Sequence, residues 1–289
     1  MYASCDKTGP TVFHGRLILS NSISSQVDLR RRYGGVVPEV ASRAHLEAII
    51  PVLDDALKKA ACRLEDLDLI AVTYGPGLVG ALLVGLSASK GLALVTEKPL
   101  VGVHHLAGHI AANYLATPDL EPPFLCLVVS GAHSHIVRVD AYNRFTVLAR
   151  TRDDAAGEAF DKIARAIGLG YPGGPLIDQA ARGGRPDALY LPRSTFEDSL
   201  DFSFSGVKTA ALNQLNRLQR STNKSESWQD LLPLADFAAS FQQAIVDVLV
   251  DHTMRALEQT GLKRLVLAGG VAANSCLRRS IQEASEQAG

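Results

Sequence analysis

The chain has 289 residues, of which 47% are hydrophobic and 20% charged, and its formal net charge is −1. That length supports one large domain or two modest ones with real cores, and the balance excludes a disordered chain. A net charge so near zero excludes bulk attraction to nucleic acid, so RNA binding would need a local basic patch or a partner subunit.

In chain order, Leu17–Val27 starts apolar and turns polar, as a strand running into a loop does. Residues 28–33 form a loop carrying Arg30, Arg31 and Arg32, candidate phosphate contacts, and Gly34-Gly35-Val36-Val37-Pro38 is turn chemistry. Ala41–Lys59 repeats apolar residues at helical steps, placing Leu46, Ile49, Ile50, Leu53 and Leu57 on an inner face. Leu67–Thr73 reads as a buried strand, followed by a helix from about Leu78 to Val95. Together they make an apolar stretch, but Pro76, five glycines and Lys90 interrupt it, so a core helix is expected rather than a membrane span. Pro99–Val103 is a short strand feeding the next helix. Phe124–Val129 is a buried strand with hairpin partners at Ile136–Val139 and Phe145–Leu148. Glu158–Leu169 is helical, and Ser221–Ser227 is a polar loop. The long helix after Pro233 buries Phe237, Phe241, Ile245, Val248 and Leu249. Arg264–Ala268 is a last strand, turning at Gly269-Gly270 into a helix from Ala272. This alternation argues for layered α/β sheets in two blocks, 1–110 and 111–289.

The four cysteines, Cys5, Cys62, Cys126 and Cys276, form no CxxC pair and read as small hydrophobes in a reducing compartment. Met1–Thr8 is short and polar, so no secretory signal is expected and a cytoplasmic location follows.

Several segments can carry chemistry. His105 and His109 stand four apart on a helix and so share a face, and imidazole suits zinc or iron. A zinc protease needs Glu beside the first histidine as general base; Leu106 stands there, so hydrolysis of that kind is excluded. Val129-Ser130-Gly131-Ala132-His133-Ser134 follows a buried strand, and its small residues leave N–H groups for an anion or form a plain hairpin turn. In DDAAGEAFDK (153–162), helical spacing puts Asp154, Glu158 and Asp161 on one face. Acids at a helix start suit its dipole, an explanation that fits Asp161 less well. GYPGGPLID (170–178) makes a rigid open loop before Asp178, and GGVAAN (269–274) is a strand–turn–helix element able to meet an adenine nucleotide. Gly75-x-Gly77-x-x-Gly80 matches a dinucleotide fingerprint, but Pro76 and the absence of a following acidic residue favour tight strand–helix packing.

Taken in order, SCDKT (4–8), YGGVVPEVASRAH (33–45), YGPGLVGALLVG (74–85), VHHLAGH (103–109), VSGAHS (129–134), DDAAGEAFDK, GYPGGPLID, FSFSGVKTA (202–210) and GGVAAN closely resemble the TsaD family, the tRNA adenosine threonylcarbamoyltransferases, over essentially the whole chain. The resemblance implies the two-lobed actin and sugar-kinase fold with a nucleotide cleft between lobes. It implies transfer of threonylcarbamoyl from threonylcarbamoyl-AMP to N6 of the adenosine beside the anticodon, in tRNAs reading codons that begin with A. It also implies TsaB-like and TsaE-like partners and no membrane. Matched position by position, His105 and His109 correspond to ligands of one Fe(2+) or Zn(2+). Val128, Val129, Ser130, Gly131 and Ala132 correspond to the loop holding the acyl-adenylate, and Asp161, Gly174, Asp178 and Asn274 to its other contacts. No catalytic side chain is assigned.

The chain departs from the family pattern in four places. It begins almost at SCDKT, where the family has a preceding hydrophobic strand. Lys7 stands where the family has Glu, and Ala132 where it has Gly. The third metal ligand, an Asp in a TDN-type segment, is expected beyond residue 289. These departures read as a truncated gene product, with a catalytically inactive scaffold of the same fold as the rival.

Overall fold

The computed structural model describes residues 2–3, 7–33, 37–221 and 227–288. The first three residues of SCDKT, the Gly34-Gly35-Val36 turn, the side chains of Arg30, Arg31 and Arg32, and most of the 221–227 loop lie outside the described residues. The chain forms two compact units, Met1–Leu120 and Glu121–Gly289. The boundary follows Leu120 rather than residue 110, which lies inside a helix.

In the first unit, β1 (Tyr2–Ala3), β2 (Lys7–Gly9), β3 (Thr11–His14), β4 (Leu17–Asn21) and β5 (Ser24–Ser25) precede α1 (Val27–Tyr33) and α2 (Pro38–Lys59). Then come β6 (Ile70–Gly75), α3 (Val79–Thr96), β7 (Leu100–His104) and α4 (His105–Ala116). β1, β2 and β5 pair antiparallel, β3 and β4 form a hairpin, and β6 runs parallel to β7. The three-arginine stretch expected as a loop is helix α1. The inner face of α2 is also different from the expected one. Ala41, His45, Ile49 and Ala56 are buried, whereas Leu46 and Ile50 are 66% and 60% exposed. The polar contact that fixes this face is Thr8 Oγ1 to His45 Nδ1 at 2.7 Å, between buried partners.

α3 is long and apolar enough to cross a membrane by length and composition. Within this unit it packs along a stripe of small residues, Ala81, Gly85 and Ser89, spaced for one helix face. A Cβ on Gly80 would lie 2.2 Å from Ser42 Oγ of α2. The glycine of the supposed dinucleotide fingerprint thus serves close helix–helix packing, not the strand–helix packing expected. Only that stripe is inside; Val79, Leu83, Leu94 and Val95 are exposed.

The second unit holds β8 (Phe124–Val129), β9 (Ser134–Ala141), β10 (Arg144–Arg150), α5 (Ala156–Ala166), α6 (Gly173–Ala180), α7 (Ser205–Ser221), α8 (Trp228–Leu231), α9 (Leu234–Thr260), β11 (Leu265–Ala268) and α10 (Ser275–Ala288). The sheet order is β10-β9-β8-β11, antiparallel through the first three strands, with β11 parallel to β8. All six residues of β8 are buried, as an unbroken apolar run in a central strand requires. The predicted core residues of α9 are all buried. Phe241 meets Phe160 of α5 edge-on, with ring centroids 5.7 Å apart. Gly261, at φ 64°, ends α9 as a left-handed cap.

Candidate functional site

In the first unit, β7 runs directly into α4. His104 caps the helix, its Nδ1 accepting from the Leu106 N–H at 3.2 Å. His105 opens the helix and His109 follows one turn later. Their Nε2 atoms are 3.1 Å apart, and their ring centroids are 4.5 Å apart at 70°. Two nitrogens bound at about 2.1 Å to one ion stand about 3.0 Å apart at a right angle and about 3.4 Å apart at the tetrahedral angle. The pair therefore fits two legs of a divalent-metal site. Among the described residues no third His, Cys, Asp or Glu joins them. Both histidines line a cavity of about 540 Å³, together with Thr11, Phe13, Val72 and Thr73. Lys7 is exposed on β2, paired in register with Ser25.

In the second unit, the parallel neighbours β8 and β11 end side by side. In open α/β sheets, ligands bind beyond the carboxyl ends of strands. The loop after β8 is held by Ser130 N donating to His133 O at 2.7 Å and His133 N donating to Ser130 Oγ at 3.1 Å. Two glycines allow neighbouring backbone to press on this loop. A Cβ on Gly157 would lie 2.5 Å from Ser130 O, and one on Gly269, whose φ is +90°, would lie 2.3 Å from Val129 O. Each glycine is therefore dictated by close approach.

From there the candidate residues connect into a ring. Gly157 lies in α5, and Asp161, one turn on, accepts the Gly173 N–H at 2.7 Å. Gly173 opens α6, where Gly174 faces open space. Asp178, later in α6, accepts from Ser275 Oγ at 2.7 Å and from Ser275 N at 3.2 Å. Asn274 is 7% exposed, donates to Gln242 Oε1 at 2.7 Å and accepts the Leu277 N–H at 2.9 Å, capping α10. The turn Gly270–Ala273 leads back to Gly269 and Val129. The helix expected from Ala272 is thus a 3₁₀ turn, and α10 starts only after Asn274.

The structure brings Ser130, Gly131, Asp161, Gly174, Asp178 and Asn274 to one end of one sheet. Val128 and Val129 are fully buried in β8, so they serve as strand, and their side chains stay in the core. The expected carboxylate face of Asp154, Glu158 and Asp161 does not form, because α5 begins after Asp154. Asp154 and Glu158 converge on Lys162 at 2.9 and 2.8 Å, whereas Asp161 turns to Gly173. Burial pushes the Asp154 carboxyl up, but hydrogen bonds and charge from Lys208 and Lys162 outweigh it and hold the group below its ordinary 3.8. Sequence reasoning gave Lys208 no role and read Asp153 only as an acid suiting a helix dipole. Asp153 accepts from Ser203 Oγ at 2.6 Å and Phe204 N at 2.9 Å at the start of α7. The quoted FSFSGVKTA motif contains Lys208, but no spacing rule joins residues about fifty apart.

The fold is of the actin- and sugar-kinase-like α/β class. Solved structures of low identity share the fold. Full-length HypF in its phosphate- and nucleotide-bound form aligns at TM-score 0.62 and 14% identity, over 99% of this chain and 50% of that one. The activator of the 2-hydroxyisocaproyl-CoA dehydratase from Clostridium difficile with bound ADPNP aligns at 0.53 and 13% identity, over 99% and 84%.

Sequence likeness narrows the class to one family. The family profile described as "TsaD: tRNA N6-adenosine threonylcarbamoyltransferase" matches residues 17–289. A protein of that name from Clostridium perfringens is 53% identical, over 99% of this chain and 83% of its own length. Those of Clostridium kluyveri and Clostridium botulinum are 54% and 56% identical, over 97% and 96% of this chain and 81% of their own lengths. The chain belongs to the TsaD family.

Proposed function

We propose that this chain transfers the threonylcarbamoyl group from threonylcarbamoyl-AMP to N6 of the adenosine beside the anticodon, in tRNAs reading codons that begin with A. The observation that carries the reading is the ring of contacts joining the loop after β8, α5, α6 and the start of α10. It is built from the segments that resemble the family's donor-binding motifs.

The donor is a mixed anhydride and already activated. The adenosine amine attacks the carbamoyl carbon, the bond to the phosphate oxygen breaks, AMP leaves and N6 loses a proton. The protein needs to orient the carbonyl and stabilise developing negative charge, with no nucleophile of its own. N–H groups of Gly131 and Ala132 and of the α6 start at Gly174 suit the phosphate and carbonyl oxygens. The carboxylates of Asp161 and Asp178 hold backbone donors and keep lone pairs for ribose or threonyl hydroxyls. Asn274 has both ends of its amide engaged, so it shapes the turn beside the adenine.

His105 and His109 would hold one divalent iron or zinc, with an Asp beyond residue 289 as the third ligand. When bound, such an ion supplies Lewis acidity toward an oxygen of the substrate. tRNA, TsaB-like and TsaE-like proteins are the partners this reading requires, in the cytoplasm. The test incubates purified chain with donor, tRNA and both partners and measures threonylcarbamoylated adenosine. Modified nucleoside above background is the expected result. None, under conditions where the Clostridium perfringens relative modifies the same tRNA, sinks the proposal.

A further inference from the structure

Two motifs are only partly absorbed by that function, FSFSGVKTA and the first residues of DDAAGEAFDK, and the structure clasps them together. Phe202 N donates to Arg150 O at 3.0 Å, and Arg152 N donates to Phe202 O at 2.9 Å. The Asp201 carboxylate accepts the Arg150 N–H and Arg152 Nε, both at 2.9 Å. Asp153 accepts from Ser203, Phe204 and Ser205 at the start of α7. Asp154 then takes Lys208 from α7 and Lys162 from α5, so one carboxylate ties two helices together. The side chains of Asp154 and Lys208 are only 13% and 17% exposed, so the pair is poorly screened by water. Two residues past Asp154, α5 begins, its Ala156 N–H donating to Ser134 Oγ at 3.0 Å, and Gly157 abuts Ser130 and Gly131.

We infer that Lys208 is a positioning residue for donor binding: through Asp154 it fixes the start of α5, and α5 fixes the Ser130–Gly131 loop. The inference rests on the proposed donor site, but the clasp itself is a property of the fold. Lys208 Nζ pairs with Asp154, and its effect passes through Asp154 and the two residues after it. Close packing transmits such a displacement, because Gly157 has no slack against the loop. Lys208→Met should release one arm of the clasp and leave the α9 core intact. Lys208→Arg keeps the charge and a donor within reach of Asp154.

The experiment uses the full chain and two readouts. Calorimetric titration with a non-hydrolysable sulfamoyl analogue of threonylcarbamoyl-AMP should show affinity about tenfold weaker for Lys208→Met and within about threefold of the parent for Lys208→Arg. Amide hydrogen exchange at Gly131, His133 and Gly157 should quicken in Lys208→Met, with β8 and α9 unchanged. Unchanged loop exchange in Lys208→Met overturns the inference, as does equal loss of affinity in Met and Arg variants. If the parent binds no analogue, the donor-site reading fails, and the exchange arm still decides the clasp. Should Lys208→Met not fold, Asp154→Asn, which weakens the same pair without removing a side chain, carries the same expectations.

Discussion

At the scale of single residues, the histidine pair makes the sharpest demand. His105→Ala leaves His109 alone where two imidazole nitrogens stand 3.1 Å apart, the pair proposed to hold a divalent ion. Elemental analysis after metal loading should show less ion per chain in the variant than in the parent, with an unchanged thermal melt. Retention of the ion by the variant would remove His105 from the site. A different residue sets a pH dependence. His252 is fully buried in α9, stacks on Phe202 at 5.3 Å and shares a hydrogen bond of 2.9 Å through Nδ1 with Leu200 O. Burial holds its pKa below the ordinary 6.5, outweighing the raising effect of the Leu200 carbonyl. The unfolded chain therefore takes up this proton first. Stability from a neutral His252 is fully present above pH 6.5 and is lost as pH falls from there through the depressed folded value. Urea titrations at pH 7.5 and 5.5 should show the second unit weaker at the lower pH, and His252→Phe should reduce that difference. Neither the burial of His252 nor the clasp of Asp154 was legible in the sequence, since each depends on what lies across the fold. The spacing of His105 and His109 was legible, because helix geometry alone puts positions four apart on one face.

At the scale of elements, glycine contacts between neighbours decide the most. A methyl group on Gly157 collides with the backbone of Ser130 and Gly131, which cannot rotate away as a side chain could. Gly157→Ala should cost about 1–3 kcal/mol of stability and weaken donor-analogue binding, both measurable on one preparation by thermal melt and calorimetry. An unchanged melt would mean that α5 shifts freely, and would count against rigid coupling to the loop. Deep in the same unit, Phe241→Ala removes a ring packed on Phe160 and should cost about 3–5 kcal/mol, read from urea midpoints. The elements themselves were largely legible: β8 has its predicted bounds, and the core positions of α9 follow from periodicity. The inner face of α2 was not. Leu46 and Ile50 are more apolar than His45 and Ala56, yet small residues and a buried Thr8–His45 hydrogen bond set the contact. α7 was missed because its sequence begins with Ser-Gly, and the stop of β10 against Asp201 and Asp153 fixes its start.

At the scale of the whole molecule, the two units are unequal. The second has a four-stranded sheet and a continuous apolar core, whereas the first has small separate sheets and helices with exposed apolar faces. The only tryptophan, Trp228, lies in the second unit, its ring 5.6 Å from Phe237. Unfolding followed by tryptophan fluorescence should therefore occur at higher urea than the first loss of far-ultraviolet ellipticity. Coincident transitions would show that the units unfold as one. The sequence by itself determined the alternation of strands and helices, because periodicity and short-range spacing are local properties of a chain, and its motifs taken in order resembled one family. Only the tertiary structure decided the partners. It turned Asp161 away from its acidic neighbours, closed the ring from Ser130 to Asn274 and joined FSFSGVKTA to DDAAGEAFDK. Those contacts depend on which backbones approach closely enough to exclude a methyl group, and no local pattern in the chain records that.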